Sequence, residues 1–225
     1  MIDFDEVRRL TVHATGDEKH EESSTSTLDA VGVLYDRVLK FDPSNPSWPE
    51  RDRFILSKGH GPMAYYAILA HLGFFPTEWL DTFMDRDGRL GSHPDRVLVP
   101  GVEASTGSLG HGLAMSVGVA LALRAKGLTE QRVVVLTGDA ELNEGSNWEA
   151  ILLAPNLHLG NLTLLVIDNH SSHLDMGPLD AKVESFGWSA KPVDGHDHDE
   201  LAEALGRRDP KKPTAVVADI PHGEW

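Results

Sequence analysis

The chain has 225 residues, with 20 Lys and Arg against 35 Asp and Glu, so its formal net charge is −15, and it contains no cysteine. A chain of this length can bury about 70–75% of the surface that its unfolded form exposes, so it can build a large core. The missing thiols exclude disulfides, thiolate metal sites and cysteine nucleophiles. The acidic charge argues against nucleic acid or an anionic membrane as a partner, because clustered Lys and Arg hold phosphate backbones.

No segment reaches the ~20 apolar residues that span a bilayer. The N-terminal residues MIDFD carry neither the basic start nor the apolar stretch of a secretory signal. We therefore expect a cytoplasmic protein with no membrane association.

The first half of the chain has helical patterns. Apolar residues recur at helical spacing over residues 28–40, a proline-containing loop follows at 41–49, and a short apolar helix is predicted over 64–72. Small residues dominate 110–123, which predicts a helix. Glycines at 110, 112 and 118 weaken a helix, so we expect close approach to its neighbours to require them.

The second half alternates apolar strands with helices. Buried strands are predicted at 133–137, 162–167 and 214–220, a weaker strand at 189–193, and a helix at 144–157. This alternation predicts an α/β fold, with a mostly parallel sheet flanked by helices.

Two polar residues follow neighbouring predicted strands. Asp139 and Asn169 are 30 residues apart, the length of one strand–helix–strand unit, so their side chains can converge at the carboxyl edge of the sheet. Their oxygens suit Mg²⁺ beside a diphosphate. From these features alone, a structural role is as well supported as the Mg²⁺ site: Asp139 would cap a helix and Asn169 would close a turn. His170 is a weaker ligand candidate, since imidazole suits Zn²⁺ better.

Ordered motifs over nearly the whole chain resemble the thiamine-diphosphate signature of transketolases. They are GDAELNEGSNWEA at 138–150, DN at 168–169, RDRFILSKGH at 51–60, GSHP at 91–94 and PGVEASTGSLG at 100–110. The resemblance implies a thiamine-diphosphate-binding domain over residues 1–225, with thiamine diphosphate and Mg²⁺ (or Ca²⁺ or Mn²⁺) as cofactors.

The resemblance also implies roles for single residues. Asp139, Asn169 and the backbone carbonyl of Ser171 would bind the metal, and the backbone at Gly138 and Ala140 would approach the diphosphate. His60 would contact the diphosphate, and the cofactor rings would be lined by Gly107, Ser108 and Leu109. His20 and His93 would face the substrate hydroxyls. Glu144 would lie at the subunit interface. Ala140 stands where the family usually has glycine, which is tolerable if the backbone angle is not restricted to glycine.

The family's pyrimidine-binding module has no counterpart in these residues. We therefore expect the N-terminal subunit of a split transketolase, which needs a partner subunit carrying that module and forms an α2β2 heterotetramer. Its substrate would be a sugar phosphate.

Three functions are compatible with the sequence. The first is transfer of a two-carbon ketol unit from a ketose phosphate to an aldehyde. The second is transfer of a two-carbon unit to a lipoyl or carrier-protein thiol, which a shortened loop after Asn169 motivates. The third is a non-catalytic subunit that binds the cofactor or a partner.

Overall fold

A single five-stranded sheet organises the structure, a computed structural model that describes residues 1–14 and 25–221. The strands are β1 (Arg53–Leu56), β2 (Val133–Gly138), β3 (Leu162–Asp168), β4 (Ser189–Asp194) and β5 (Thr214–Asp219). They lie in the order β1-β2-β3-β5-β4, and every pairing is parallel. The predicted α/β fold is therefore confirmed.

Seven α-helices connect and cover these strands in the described residues. They are α1 (Phe4–His13), α2 (Leu28–Val33), α3 (Met63–His71), α4 (Gly112–Ala125), α5 (Gly145–Asn156), α6 (Leu179–Ser185) and α7 (His198–Gly206). A π-helical turn, Leu34–Val38, prolongs α2, and 3₁₀ turns occupy Thr77–Thr82 and Ala140–Asn143. None of the helices described is both long enough and apolar enough to cross a membrane.

The sheet is buried on both faces, which explains why its central strands are apolar throughout. Successive residues of a strand point to opposite faces, so Val134 and Leu136 join one core while Val133 and Val135 join the other. Helices α1, α2, α3 and α7 cover the first face, and α4, α5 and α6 cover the second. This layering leaves the carboxyl edge of the sheet open for polar loops.

The predicted strands agree with the structure to within one residue at each end. Strand β1 and helices α1, α6 and α7 were not predicted. Strand β1 has only four residues and starts with Arg53, which is buried because its guanidinium donates to the carbonyl oxygen of Pro49 at 2.8 Å and pairs with Glu103. A strand prediction based on apolar runs misses such a strand, because the run is short and its first residue is charged.

The glycines around α4 divide by their surroundings. A Cβ on Gly112 would lie 2.3 Å from Cβ and Oγ of Ser57, so only glycine fits there. Gly110 has φ +83 and packs against Glu144 and Ser146. Gly118 is exposed, and no described atom lies within 4 Å of a Cβ built on it. Close approach therefore explains Gly110 and Gly112, and the prediction was wrong for Gly118.

Gly112→Ala and Gly118→Ala should change stability in opposite directions. The first forces a methyl group into the loop after β1, and we expect a loss of about 1–3 kcal/mol. The second improves an exposed helix position and should gain up to about 1 kcal/mol. Chemical denaturation of both variants checks this. Equal destabilisation by the two variants would contradict the packing assigned to Gly112.

Candidate functional site

The carboxyl ends of β2 and β3 bring the two predicted metal ligands to one place. The strands are adjacent and parallel, with Gly138 opposite Ile167, so Asp139 and Asn169 follow them side by side. Both residues are buried, at 2% and 4% exposure. Such a pair of buried polar groups needs partners to offset the loss of hydration.

The hydrogen bonds decide against the capping alternative. Asp139 precedes the 3₁₀ turn, yet its carboxylate makes no capping bond there in the described chain. Instead Oδ1 accepts from Ser171 Oγ at 2.8 Å and Oδ2 accepts from the Ser172 backbone N–H at 2.9 Å. The Asn169 Oδ1 atom is buried with no donor among the described residues. An orphaned amide oxygen beside a buried carboxylate is the donor set that a hard cation takes.

A cavity of about 300 Å³ opens beside Asp139. Its polar lining includes Asp168, His170, Ser172 and Asp175. Burial raises the pKa of Asp168, and the Asp139 and Asp219 carboxylates raise it further. This part of the site therefore has an excess of negative charge that a cation would relieve.

Two predicted histidines meet at the carboxyl end of β1. The rings of His60 and His93 lie 5.1 Å apart in an edge-to-face arrangement. The backbone carbonyl of His93 accepts from Tyr66 at 2.9 Å, which fixes its loop. Gly107 has φ +138, and a Cβ there would lie 2.3 Å from the His93 ring, so this segment follows the ring without a side chain.

Other predicted residues have varied positions. Ser108 is exposed and Leu109 is half-buried next to Gly107. Ala140 is absent from the described non-glycine residues with positive φ, so alanine fits there without strain. Glu144 is exposed at the start of α5 and does not line the cavity. His20 lies outside the described residues.

Sequence reasoning assigned no role to Lys58, which is buried in the site. Its Nζ donates to Ser26 Oγ at 3.1 Å, and its stem runs beside Gly138. Burial lowers the pKa of Lys58 to about 8, while the charges of Asp139 and Glu141 oppose this shift. Lys58 follows β1 as Asp139 follows β2, so predicting β1 would have revealed it.

Glu141 is a second buried residue to which the sequence motif gave no role. It is 2% exposed, and its Oε1 accepts from Ser57 Oγ and, at 3.0 Å, from the Gly110 backbone N–H. Burial raises its pKa, and hydrogen bonds and the Lys58 charge partly offset this. Glu141 thus ties the loop after β1 to the segment leading into α4.

The family described as transketolase, thiamine diphosphate binding domain, matches residues 4–220. The chain belongs to this family. Among its relatives, the Ferredoxin fas2 protein of Rhodococcoides fascians is 45% identical, over 96% of this chain and 72% of that protein. A protein of Actinobacillus succinogenes, named as one subunit of an apulose-4-phosphate transketolase, is 40% identical, over 91% of this chain and 76% of that protein.

A solved transketolase from Leishmania mexicana superposes with a TM-score of 0.82 at 28% identity, over 97% of this chain. The match covers 37% of that transketolase, so this chain spans just over a third of it. The ferredoxin name does not extend to this chain, because its 225 residues contain no cysteine to bind an iron–sulfur cluster.

The residues present fit a magnesium diphosphate. Asp139 and Asn169 offer oxygen ligands, and Lys58 adds a buried cation that interacts electrostatically with Asp139. Mg²⁺ takes oxygen ligands and shares them with phosphates, so the donor set matches both parts of the group.

The Lys58 charge should make diphosphate binding pH-dependent. Lys58 is mostly protonated below its pKa of about 8 and loses its charge above it. We therefore expect affinity for thiamine diphosphate with Mg²⁺ to fall as pH rises from about 7 to 9.5. Lys58→Met should bind roughly tenfold or more weakly at pH 7, the size of a lost charge-assisted hydrogen bond, with a flatter pH profile. Calorimetric titration at several pH values measures both, and an unchanged slope in Lys58→Met would contradict this role.

Proposed function

We propose that this chain is the diphosphate-binding subunit of a two-component transketolase. It would hold thiamine diphosphate through Mg²⁺ and take part in transfer of a two-carbon ketol unit from a ketose phosphate to an acceptor. The observation that carries the proposal is the orphaned, buried oxygen of Asn169 beside the Asp139 carboxylate, in a chain of the transketolase family.

The metal would be held by the oxygens of Asp139 and Asn169, with the backbone carbonyl of Ser171 as a third ligand. These three residues lie on two adjacent loops that are already joined by the bond from Ser171 Oγ to Asp139. The loops therefore need little rearrangement to form the ligand set, which reduces the entropy cost of binding.

The diphosphate would lie against Gly138, Ala140, His60 and Lys58. Lys58 is buried, so its charge is screened little by water and favours an anion more strongly than a surface lysine would. The cofactor rings would lie along Gly107, Ser108 and Leu109, where the backbone passes close to His93.

Bound thiamine diphosphate supplies the carbon nucleophile that attacks a carbonyl group. His93, and His20 by its motif, would donate to and accept from substrate hydroxyls. His93 is exposed toward solvent, and its Nδ1 lies 3.2 Å from Ser92 Oγ, so the ring is held while one edge stays accessible.

A partner chain would supply the rest of the site. The relative named as one subunit of an apulose-4-phosphate transketolase matches 91% of the length of this chain. Exposed apolar side chains occur on both helices that flank Glu144, with Met115 on α4 and Leu152 and Leu153 on α5. We assign this surface to the partner that carries the pyrimidine-binding module, in an α2β2 heterotetramer.

The function is tested by assaying the chain with and without that partner. The chain alone should not turn over a ketose phosphate with an aldose acceptor, whereas the complex should, in the presence of thiamine diphosphate and Mg²⁺. Asp139→Ala should abolish activity of the complex. Glu130→Gln, at the opposite edge of the sheet, removes one negative charge as well and should keep activity.

Each contrary outcome has a distinct meaning. Robust turnover by the chain alone would refute the two-component assignment. Full activity of the Asp139→Ala complex would favour a non-catalytic role. Transfer of the two-carbon unit to a lipoyl or carrier-protein thiol, with no transfer to any aldose, would favour the second function considered above.

Leu153→Lys should weaken assembly with the partner. Leu153 is 47% exposed in this chain, so the melting temperature of the isolated chain should change little on substitution. In an apolar interface, by contrast, the lysine must be desolvated. We expect about a tenfold or greater rise in the dissociation constant by sedimentation. Val97→Lys, at a residue that is 90% exposed in a turn outside α4 and α5, is the matched control and should assemble normally.

A further inference from the structure

His170 has a backbone conformation that is uncommon for residues other than glycine. It follows Asn169 directly and has φ +55, in the left-handed region. Only Met84 and His158 share a positive φ among the other described non-glycine residues. A residue held in this region is retained where its surroundings determine it, so its contacts need an explanation.

The His170 ring ties its loop to β5. Its Nε2 lies 2.8 Å from Asp219 Oδ1, and its backbone N–H donates to Asp168 Oδ1 at 3.3 Å. Asp219 ends β5 directly opposite Asp168 on β3. The ring is thus paired with β5 through Nε2, whereas Asn169 Oδ1 has no donor among the described residues, so Asn169 stays the stronger candidate for the metal.

The other side of the same loop is tied to β2. Ser171 Oγ and the Ser172 backbone N–H both donate to the Asp139 carboxylate. Asn169 therefore lies between an anchor on β5 and an anchor on β2. Its own Oδ1 is the group without a donor among the described residues, so its position depends on the backbone that these anchors hold.

We propose that the His170–Asp219 pair is a clamp that positions Asn169 for the metal. His170 is a positioning residue: it acts on the cation through Asn169. The inference rests on the proposed cofactor function. The β2 anchor uses the carboxylate that the metal also needs, whereas the β5 anchor is independent of the metal and can hold the loop in both states.

The positive φ of His170 allows glycine and alanine substitutions to separate the contribution of the ring from that of backbone strain. Glycine adopts φ +55 freely, so if His170 were only a strained loop residue, His170→Gly would be neutral or favourable. If the ring is a clamp, His170→Gly and His170→Ala should both weaken metal binding, although only alanine keeps the strain. Asp219→Ala removes the other half of the pair and should have the same effect.

The experiment titrates Mn²⁺ into the full chain with saturating thiamine diphosphate, following free Mn²⁺ by electron paramagnetic resonance against a cofactor-only blank. We expect about tenfold weaker binding for His170→Gly, His170→Ala and Asp219→Ala, typical of lost outer-sphere support. The double variant His170→Ala/Asp219→Ala should be no weaker than either single one. His158→Gly relieves a similar φ of +51 beyond the end of α5 and should leave the Mn²⁺ affinity unchanged.

Several results would overturn the clamp. They are single variants within twofold of wild type, a loss in His170→Ala that His170→Gly restores, or multiplicative losses in the double variant. Melting curves of the metal-free variants show whether each one folds, and Asp219→Val, which suits a strand end and cannot accept the bond from His170, replaces any that does not. A wild-type chain that binds no Mn²⁺ above the blank, both alone and in complex with the partner subunit, would instead refute the cofactor function itself, and the clamp with it.

Discussion

The burial of a lysine within the electrostatic reach of two buried acids, after β1 and β2, is the constraint on which the rest of the site depends. Lys58 is buried beside Asp139 and Glu141, in a chain with a net charge of −15. None of these groups could be buried alone without a large desolvation cost, so each one requires the others. Within this acidic cluster Lys58 provides a buried positive charge that can face an anion, which the overall charge of the chain would repel.

Glu141 also fixes the positions of the loops around this charge cluster. Its carboxylate accepts from the loop after β1 and from the segment that leads into α4, so two loops are fixed relative to the 3₁₀ turn that carries it. Gly112 allows α4 to begin against Ser57 with no intervening side chain. The positions of the surfaces proposed to hold the diphosphate and the cofactor rings therefore depend on the hydrogen bonds of Glu141 and on the absence of a side chain at Gly112.

The sequence allowed the central sheet and the Asp139–Asn169 pair to be predicted, because both depend on local order along the chain. Apolar runs identify β2, β3 and β5, and a fixed strand–helix–strand length brings the residues after β2 and β3 together. Asp29 shows what lies beyond such reasoning. It accepts from His196 and His198, 167 and 169 residues away, and this contact has no local pattern. Lys58 was missed for a related reason, since the strand before it is short and begins with a charge.

In the proposed metal site, an amide at residue 169 has a consequence for the net charge. A divalent metal bound by Asp139 and a neutral Asn169 retains a net charge of about +1, which attracts a diphosphate. A second carboxylate at 169 would cancel that charge and add to the repulsion that already raises the pKa of Asp168. Asn169 would supply the proposed metal with an oxygen ligand without supplying charge. In the proposed site, the acidic surroundings that would attract the metal would therefore still admit an anionic cofactor, because this ligand is neutral.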